Sequence, residues 1–291
     1  MHRAGAVPRG RYARRRAGAL GVLVLVVVLV AIAQGRHRSA GAPGGHHAAS
    51  GVQVPRGALR LAREDRAIAS VLAYTSYVSQ GSARHREVAL TFDDGPGPFT
   101  PQVLSELRRL HVPATFFVVG RSLRDFGATL PIELQDDFVV GDHTENHPLL
   151  SRLPLAVQSR EILGQAQAIQ SYEAPFPHLF RPPYGGFGPG TLDLLHRYGM
   201  LMVLWSVDTR DYTVPGVATI VQRALAGARA GAILLMHDAG GPRSQTVAAI
   251  PEIVAGLRRR HLRPVTVPQL LLDDPPGAGQ PPPRSLAGAA G

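Results

Sequence analysis

From about Ser82 the chain repeats one rhythm, a short apolar run, a turn and then an amphipathic stretch. Val88, Leu90 and Phe92 alternate with smaller or polar residues, the period-two pattern of a strand. The β-branched and aromatic content agrees, and Gly95-Pro96 stops the run with a turn signal. Thr100-Pro101 predicts a helix start, with Thr as N-cap and Pro at the first position, running to about Leu110. Further strands are expected at Ala114–Val119, Phe138–Gly141, Phe180–Arg181, Leu201–Val207, Ala232–Met236 and Pro264–Val267. Helices are expected at Leu155–Tyr172, Thr191–Tyr198, Val217–Ala230 and Thr246–Arg260. This alternation predicts an α/β fold of parallel strands with covering helices. Upstream, Ala58–Val78 has helical spacing through Leu61, Ile68 and Leu72, and is expected to pack on the domain as a preceding helix.

The start of the chain changes the picture. Residues 1–16 are basic, and Ala17 to Ala33 are uncharged and almost wholly apolar. As a helix that run would be about 25 Å long, just short of an average hydrocarbon core. Positive charge before it places the N-terminus in the cytoplasm and the rest outside. Ala31-Ile32-Ala33 fits a signal-peptide cleavage site, whereas the length of the run suits an uncleaved anchor. Both put the domain outside the cytoplasmic membrane. The expected organisation is a basic tail (1–16), an anchor or signal segment (17–33) and a linker with a possible helix (34–81). A catalytic domain (82–273) and a disordered Pro/Gly/Ala-rich tail (274–291) follow.

Charge and composition then remove several functions. The formal net charge is +10, but eight Arg and no acid lie in the first 40 residues, so the remainder carries only +2. That argues against a nucleic-acid-binding face on the folded domain. There is no Cys, which excludes disulfides, thiolate nucleophiles and Cys-ligated zinc. No G-x-S-x-G elbow and no G-x-G-x-x-G after a strand is present, which disfavours a serine hydrolase and a nucleotide-cofactor enzyme.

Chemistry-bearing residues fall where the predicted strands end, the place where α/β sheets build sites. Asp93 and Asp94 follow the first of these strands. A metal ion on Asp94 would leave Asp93 available as a base, although Asp-Gly is equally a common turn. His143 and His147 follow the third strand, and on a helical turn their spacing puts both on one face. Joined to Asp94 they make a two-His, one-carboxylate site for a divalent cation; a purely structural His pair has the same spacing. Arg181 is suited to pair with Asp93, and Gly185 and Gly186 let a backbone N–H approach an oxyanion. The alternative is a rigid turn with a surface Arg. His237, at the end of Ala232–Met236, suits a general acid if a carboxylate such as Asp211 raises its pKa; a buried, hydrogen-bonded His is the plainer reading. Trp205 reads as core.

Five segments resemble the polysaccharide deacetylase family, the NodB-homology domain of carbohydrate esterase family 4. They are Thr91-Phe-Asp-Asp-Gly-Pro96, His143-Thr-Glu-Asn-His-Pro148, Arg181-Pro-Pro-Tyr-Gly185, Val207-Asp-Thr-Arg-Asp-Tyr212 and Leu234-Leu-Met-His237, in family order across roughly residues 86–270. The resemblance implies an irregular (β/α) barrel and metal-dependent removal of N-acetyl, sometimes O-acetyl, groups from a cell-wall polysaccharide such as peptidoglycan or a chitin-like glycan. It implies Asp93 as base, and Asp94, His143 and His147 as ligands of zinc or cobalt. Arg181 is implied as partner of Asp93, and the Tyr184 N–H as oxyanion donor. The remaining implied roles are His237 as acid tuned by Asp211, and Leu235 in the acetate-methyl pocket. Tyr212 stands where the family usually has Trp, a departure that touches the pocket and the sugar contact rather than the metal chemistry. With every ligand and the base present, a catalytically silent glycan-binding protein is the weaker expectation, and an O-acetyl esterase is the alternative within the fold.

Overall fold

The computed structural model describes residues 56–135 and 138–280. The basic tail, the apolar run 17–33, the spacer to residue 55 and the tail from 281 lie outside the described residues. Among the described residues no helix is long and apolar enough to cross a membrane.

Among the described residues nine short strands alternate with helices, two strands more than the pattern predicts. They run α1 (Arg56–Leu72), β1 (Tyr77–Val78), β2 (Glu87–Asp93), α2 (Thr100–Arg109), β3 (Thr115–Val118), α3 (Gly120–Phe126), α4 (Leu130–Gln135), β4 (Val139–Asp142) and α5 (Leu155–Gln170). There follow β5 (Leu179–Phe180), α6 (Pro189–Arg197), β6 (Leu201–Val203), β7 (Val207–Asp208), α7 (Val217–Gly227), β8 (Ala232–His237), α8 (Ser244–Arg259), β9 (Arg263–Val265) and α9 (Val267–Asp273). All pairings between these strands are parallel, in the order β1-β6-β5-β4-β3-β2-β8-β7, with β9 beside the start of β2. The sheet is curled and open.

Its seam departs from the single strand expected over Leu201–Val207. The run splits: Leu201–Val203 pairs with β1 and β5, and Val207–Asp208 pairs with β8 at the far end of the sheet. Residues 204–206 cross between the two edges. The Leu204 N–H donates to Val78 O (2.7 Å) and the Ser206 N–H to Ile233 O (3.1 Å).

Strand alternation sorts the core into layers. Val88, Leu90 and Phe92 face outward against Val103, Leu104 and Leu107 of α2 and Ile253 and Leu257 of α8. Phe180, Met202 and Leu204 face Ile162 of α5 and Leu195 of α6. The inward residues Ala89, Phe117, Leu179, Val203, Ile233 and Leu235 meet Ala67, Ile68 and Val71 of α1 and Leu270 and Leu271 of α9. Burying each such aliphatic or aromatic side chain contributes roughly 1.5–3 kcal/mol. Both faces of the central strands are buried, so a one-residue slip would set each side chain into the layer shaped for its neighbour, and the register is held.

Two expected boundaries move for the same reason. The helix in 34–81 ends at Leu72 and is followed by β1, which joins the sheet, so residues 56–81 share the core rather than serving only as a linker. Residues 274–280 pack as well. Asp274 is buried and accepts from the Ser82 hydroxyl (3.0 Å) and the Arg84 N–H (2.8 Å), while the Gln280 side chain bonds Ser79 and Gln80. Helices α3, α4 and α9 are short and carried no clear periodicity.

Candidate active site

The inward columns of the sheet end in polar residues at one mouth. Ala89, Thr91 and Asp93 form one column of β2, and Ile233, Leu235 and His237 form another of β8. The register pairs Thr91 with Leu235 and Asp93 with His237. Asp94 would point outward in a straight strand, but its φ of 74° turns it back. Both consecutive acids thereby reach the same cleft, of about 590 Å³, whose lining includes Asp93, Asp94, His143, His147, Tyr184 and His237. Leu235, Tyr212 and Trp205 line it too.

Arg181 continues the β5 column and is wholly buried. Its Nη1 donates to Asp93 Oδ1 (2.7 Å) and to the Thr91 hydroxyl (2.8 Å). Its Nε and Nη2 donate to the carbonyls of Val203 (3.0 Å) and Leu204 (3.2 Å). The guanidinium lies 4.1 Å from the Phe117 ring centroid, a cation–π contact. Burial lowers the Arg181 pKa, and the adjoining Asp93 carboxylate opposes this. The surface-Arg reading is thus excluded, and Asp93 keeps Oδ2 toward the cleft, 3.7 Å from His143 Nε2.

The two histidines are not on a helical turn. They lie on a loop after β4, and left-handed residues Thr144 (φ 69°) and His147 (φ 59°) bring their rings to 4.9 Å. The Thr144 N–H donates to Asp142 Oδ1 (2.8 Å), and the His147 N–H donates to the Thr144 hydroxyl (3.0 Å). His143 Nδ1–H donates to the Arg181 carbonyl (2.6 Å), which leaves its Nε2 lone pair for the cleft. Burial lowers the His143 pKa to about 4, so the ring is neutral and able to coordinate. Asp94 Oδ1 lies 3.1 Å from His147 Nε2 and 3.7 Å from His143 Nε2. Burial pushes the Asp94 pKa up, but the His147 hydrogen bond and the nearby His237, His143 and His147 hold it well below the carboxylate range. One ligand atom from each of the three residues falls within 4.8 Å of the others. Two neutral-capable imidazoles and an ionised carboxylate are a fitting donor set for a borderline divalent cation.

Opposite, His237 Nδ1 and Asp211 Oδ1 are 2.8 Å apart, and Asp211 Oδ2 accepts from the His237 N–H (2.8 Å) and the Thr246 hydroxyl (2.7 Å). Burial lowers the His237 pKa, but Asp211 outweighs it with smaller help from Asp94 and Asp93, and the value rises to about 9. Asp211, buried, is held below its ordinary range by the bonds from His237 and Thr246 against the burial that raises it. Tyr212 stands edge-on to the His237 ring (5.2 Å), with its hydroxyl donating to Asp208 Oδ2 (3.2 Å). Tyr184, at φ 58°, is exposed and faces the His147 ring at 4.7 Å.

All ten residues singled out in the sequence therefore meet at this mouth, with Arg181 and Asp211 behind the surface and the other eight on it. Sequence reasoning missed the supports. Thr100 does not cap α2; Phe99 stands at the N-cap position, without a side-chain capping bond. The Thr100 hydroxyl instead bonds the buried Asp238 carboxylate and accepts from the Gly97 N–H (2.7 Å). The Asp238 N–H donates to the Asp93 carbonyl (3.2 Å), tying the ends of β2 and β8. Trp205, expected as core, is buried but borders the cleft. Thr246 carried no signal, because its partner lies 35 positions away.

The family model described as polysaccharide deacetylase matches residues 80–203. The chain is 39% identical over 198 residues to the chitooligosaccharide deacetylase of Bradyrhizobium sp. (strain ANU 289), covering 64% of this chain and 90% of that protein. It is 37% identical over 201 residues to a peptidoglycan-N-acetylglucosamine deacetylase of Bacillus cereus, covering 68% and 94%. The crystal structure of the Bc1960 peptidoglycan N-acetylglucosamine deacetylase superposes with a TM-score of 0.67 at 30% identity, covering 72% of this chain and 98% of that one.

Proposed function

The chain belongs to the polysaccharide deacetylase family, and from this premise we propose how its residues divide the reaction. It is a metal-dependent deacetylase acting on N-acetylglucosamine-type units of a polysaccharide. One water is consumed: a C–O bond forms at the acetamide carbonyl, the C–N bond breaks, acetate departs and the sugar keeps a free amine. Asp94, His143 and His147 would hold a divalent cation, for which zinc is our choice and cobalt a substitute. When bound, it supplies Lewis-acid polarisation and lowers the pKa of water. Asp93 accepts the proton of the attacking water through Oδ2, while Arg181 fixes its other oxygen. The Tyr184 N–H faces the developing oxyanion. His237, kept protonated by Asp211 at neutral pH, gives its proton to the departing nitrogen. Leu235 and Trp205 wall the acetyl methyl, and Tyr212 in place of the usual Trp contacts the sugar. The curled sheet, with its seam crossed by residues 204–206, corresponds to the irregular (β/α) barrel of the family.

The observation that carries this reading is the juxtaposition of a three-ligand cluster with a base–Arg pair and an acid–carboxylate pair across one strand register. An extracytoplasmic, wall-associated placement fits its relatives; we add that residues 17–33 tether the chain, or are cleaved after Ala33. The test is acetate release from N-acetylglucosamine oligomers and from peptidoglycan by the full chain, with zinc or cobalt and with chelator. Release should be abolished by chelator and restored by metal. Asp93→Asn should lose about 10²–10⁴-fold in kcat while still binding metal, and retained turnover in that variant would overturn the base assignment.

A further inference from the structure

We propose that the end of the sheet opposite the cleft is a docking face for an anionic lipid surface, built from Arg84, Arg86 and the run Arg258–Arg260. Contact there would present the cleft away from the membrane. This surface is separate from the reaction centre and goes beyond the deacetylase reading.

The chain beyond residue 40 carries only +2, but that charge is not evenly spread. The start of β2 lies beside the start of β9, with Glu87 opposite Arg263. The ends of α2 and α8 meet them there. Arg258 Nη2 donates to the Leu110 carbonyl (2.6 Å), and Arg86 donates to the carbonyls of Arg260 (2.5 Å) and His261 (3.2 Å). Arg84, Arg86, Arg258, Arg259 and Arg260 are all exposed. The acids nearby are already engaged. Glu87 is buried and bonds Arg263, which also meets Asp273 (3.2 Å). Glu106 pairs with Arg109 (2.6 Å), and buried Asp274 accepts from the N–H groups of Arg84 (2.8 Å) and His85 (3.0 Å). Among the described residues no carboxylate pairs with any of the five exposed guanidinium groups. Arginine in a last helical turn complements the carbonyl end of the helix. That accounts for Arg258 and Arg259, but not for Arg84 and Arg86, which precede a strand.

Three observations favour a lipid surface as the occupant. Strand β2 separates this face from Asp93 by about 20 Å, so contact here leaves the cleft open. Helix α1 starts at the same end, since Leu61 shares a groove with Val139 and Leu179, the first residues of β4 and β5. The chain thus enters the domain from the side of the Arg patch, downstream of the apolar run proposed as its tether. Leu272 is exposed on the last turn of α9, whose end is fixed here by the bond from His85 Nδ1 to the Asp273 carbonyl (3.0 Å). It adds an apolar contact that a bilayer answers and a polyanion does not. Each arginine near an anionic bilayer adds an attraction that dies away within a Debye length, so five together bind firmly at low salt and weakly at high salt.

The chain has no Cys, so a fluorophore can be attached at one chosen position at a time. Ala255→Cys is exposed one helical turn before Arg259, and Ala156→Cys is exposed on the first turn of α5, after the His147 loop. The full chain labelled at either position is reconstituted into vesicles carrying a headgroup quencher. The vesicles are phosphatidylglycerol mixed with phosphatidylcholine, or phosphatidylcholine alone. In the anionic vesicles at about 50 mM salt the label at position 255 should be quenched at least about threefold more than the label at position 156. The ratio should fall toward one at about 500 mM salt and in the neutral vesicles. Arg84→Gln combined with Arg259→Gln removes two side chains that make no hydrogen bond among the described residues, and should abolish most of the excess. Arg152→Gln combined with Arg160→Gln removes the same charge from exposed positions elsewhere and should preserve it. Equal quenching at both positions, an excess indifferent to lipid charge, or equal effects of the two double variants overturns the proposal. Loss of the excess on adding soluble poly(glycerol phosphate) at matched phosphate concentration would assign the face to a wall polymer and overturns it too.

Discussion

Replacing Asp211 by Asn probes the proton donor without touching the metal ligands. Burial by itself lowers the His237 pKa, yet the value stands near 9 because the Asp211 hydrogen bond and charge prevail. Against an ordinary value of 6.5 that rise favours the imidazolium by roughly 3 kcal/mol. Because folding raises this pKa, the associated stability is complete below about pH 6.5 and is lost as pH climbs through about 9. Asn keeps an acceptor for Thr246 and the His237 N–H but removes the charge. The pKa should then fall to about 6.5 or below. At pH 8 the protonated fraction drops from about nine-tenths to about 3%, so kcat should fall by about thirtyfold. A bound cation offsets the contributions of Asp94 and Asp93, which moves the wild-type alkaline limb below 9 but preserves the step caused by Asp211. The assay is kcat for acetate release from pH 5 to 10 in both proteins, with the unfolding temperature followed across the same range. An alkaline limb that stays within about 0.3 unit of wild type would refute the assignment of His237 as the acid tuned by Asp211.

Arg181→Met leaves Asp93 as a buried charge without its partner and should destabilise the fold by about 3–5 kcal/mol, measured by denaturant unfolding; a loss under about 1 kcal/mol would contradict the role of the pair. Gly240→Ala would place a Cβ 2.2 Å from Asp94 Oδ2 at a φ of 72°. Zinc affinity, read by competition with a chromophoric chelator, should weaken about tenfold or more, with the far-UV spectrum unchanged. Asp238, buried and with Oδ1 unpartnered, has its pKa raised to about 7, first by burial. Folded stability carried by its protonated form is therefore lost as pH rises from about 4 to about 7, and Asp238→Asn should raise the unfolding temperature at pH 8 but not at pH 4.

The sequence displayed the strand that carries Asp93 because its alternation is strict, and the mouth position of each acid or His followed from where the apolar runs stop. Register was hidden. Nothing local announces that Asp93 sits opposite His237, since that pairing is decided by layers of Leu, Ile and Phe packing between β2 and β8. The His143–His147 spacing suggested a helix, but Asp142 and Thr144 offer the backbone a side-chain bond that competes with helical hydrogen bonding, and a loop results. The break in Leu201–Val207 was equally invisible, because both halves are apolar and only the curvature of the whole sheet separates them. Thr100 was misjudged for a related reason. A Thr before Pro is a good cap in isolation, and a buried Asp 138 positions away claimed its hydroxyl.

The split run from Leu201 to Asp208 makes the chemistry and the mechanical closure of the sheet a single object. Two of the carbonyls beside the seam, those of Val203 and Leu204, are held by the guanidinium that also holds Asp93. Parting the two edges would therefore release the base at the same moment, and any loosening of the base would free the edges. Hydrogen exchange at the Leu204 and Ser206 amides should report on Asp93 as faithfully as a rate measurement does. Variants with softened seams should go silent toward substrate while their helices are still intact.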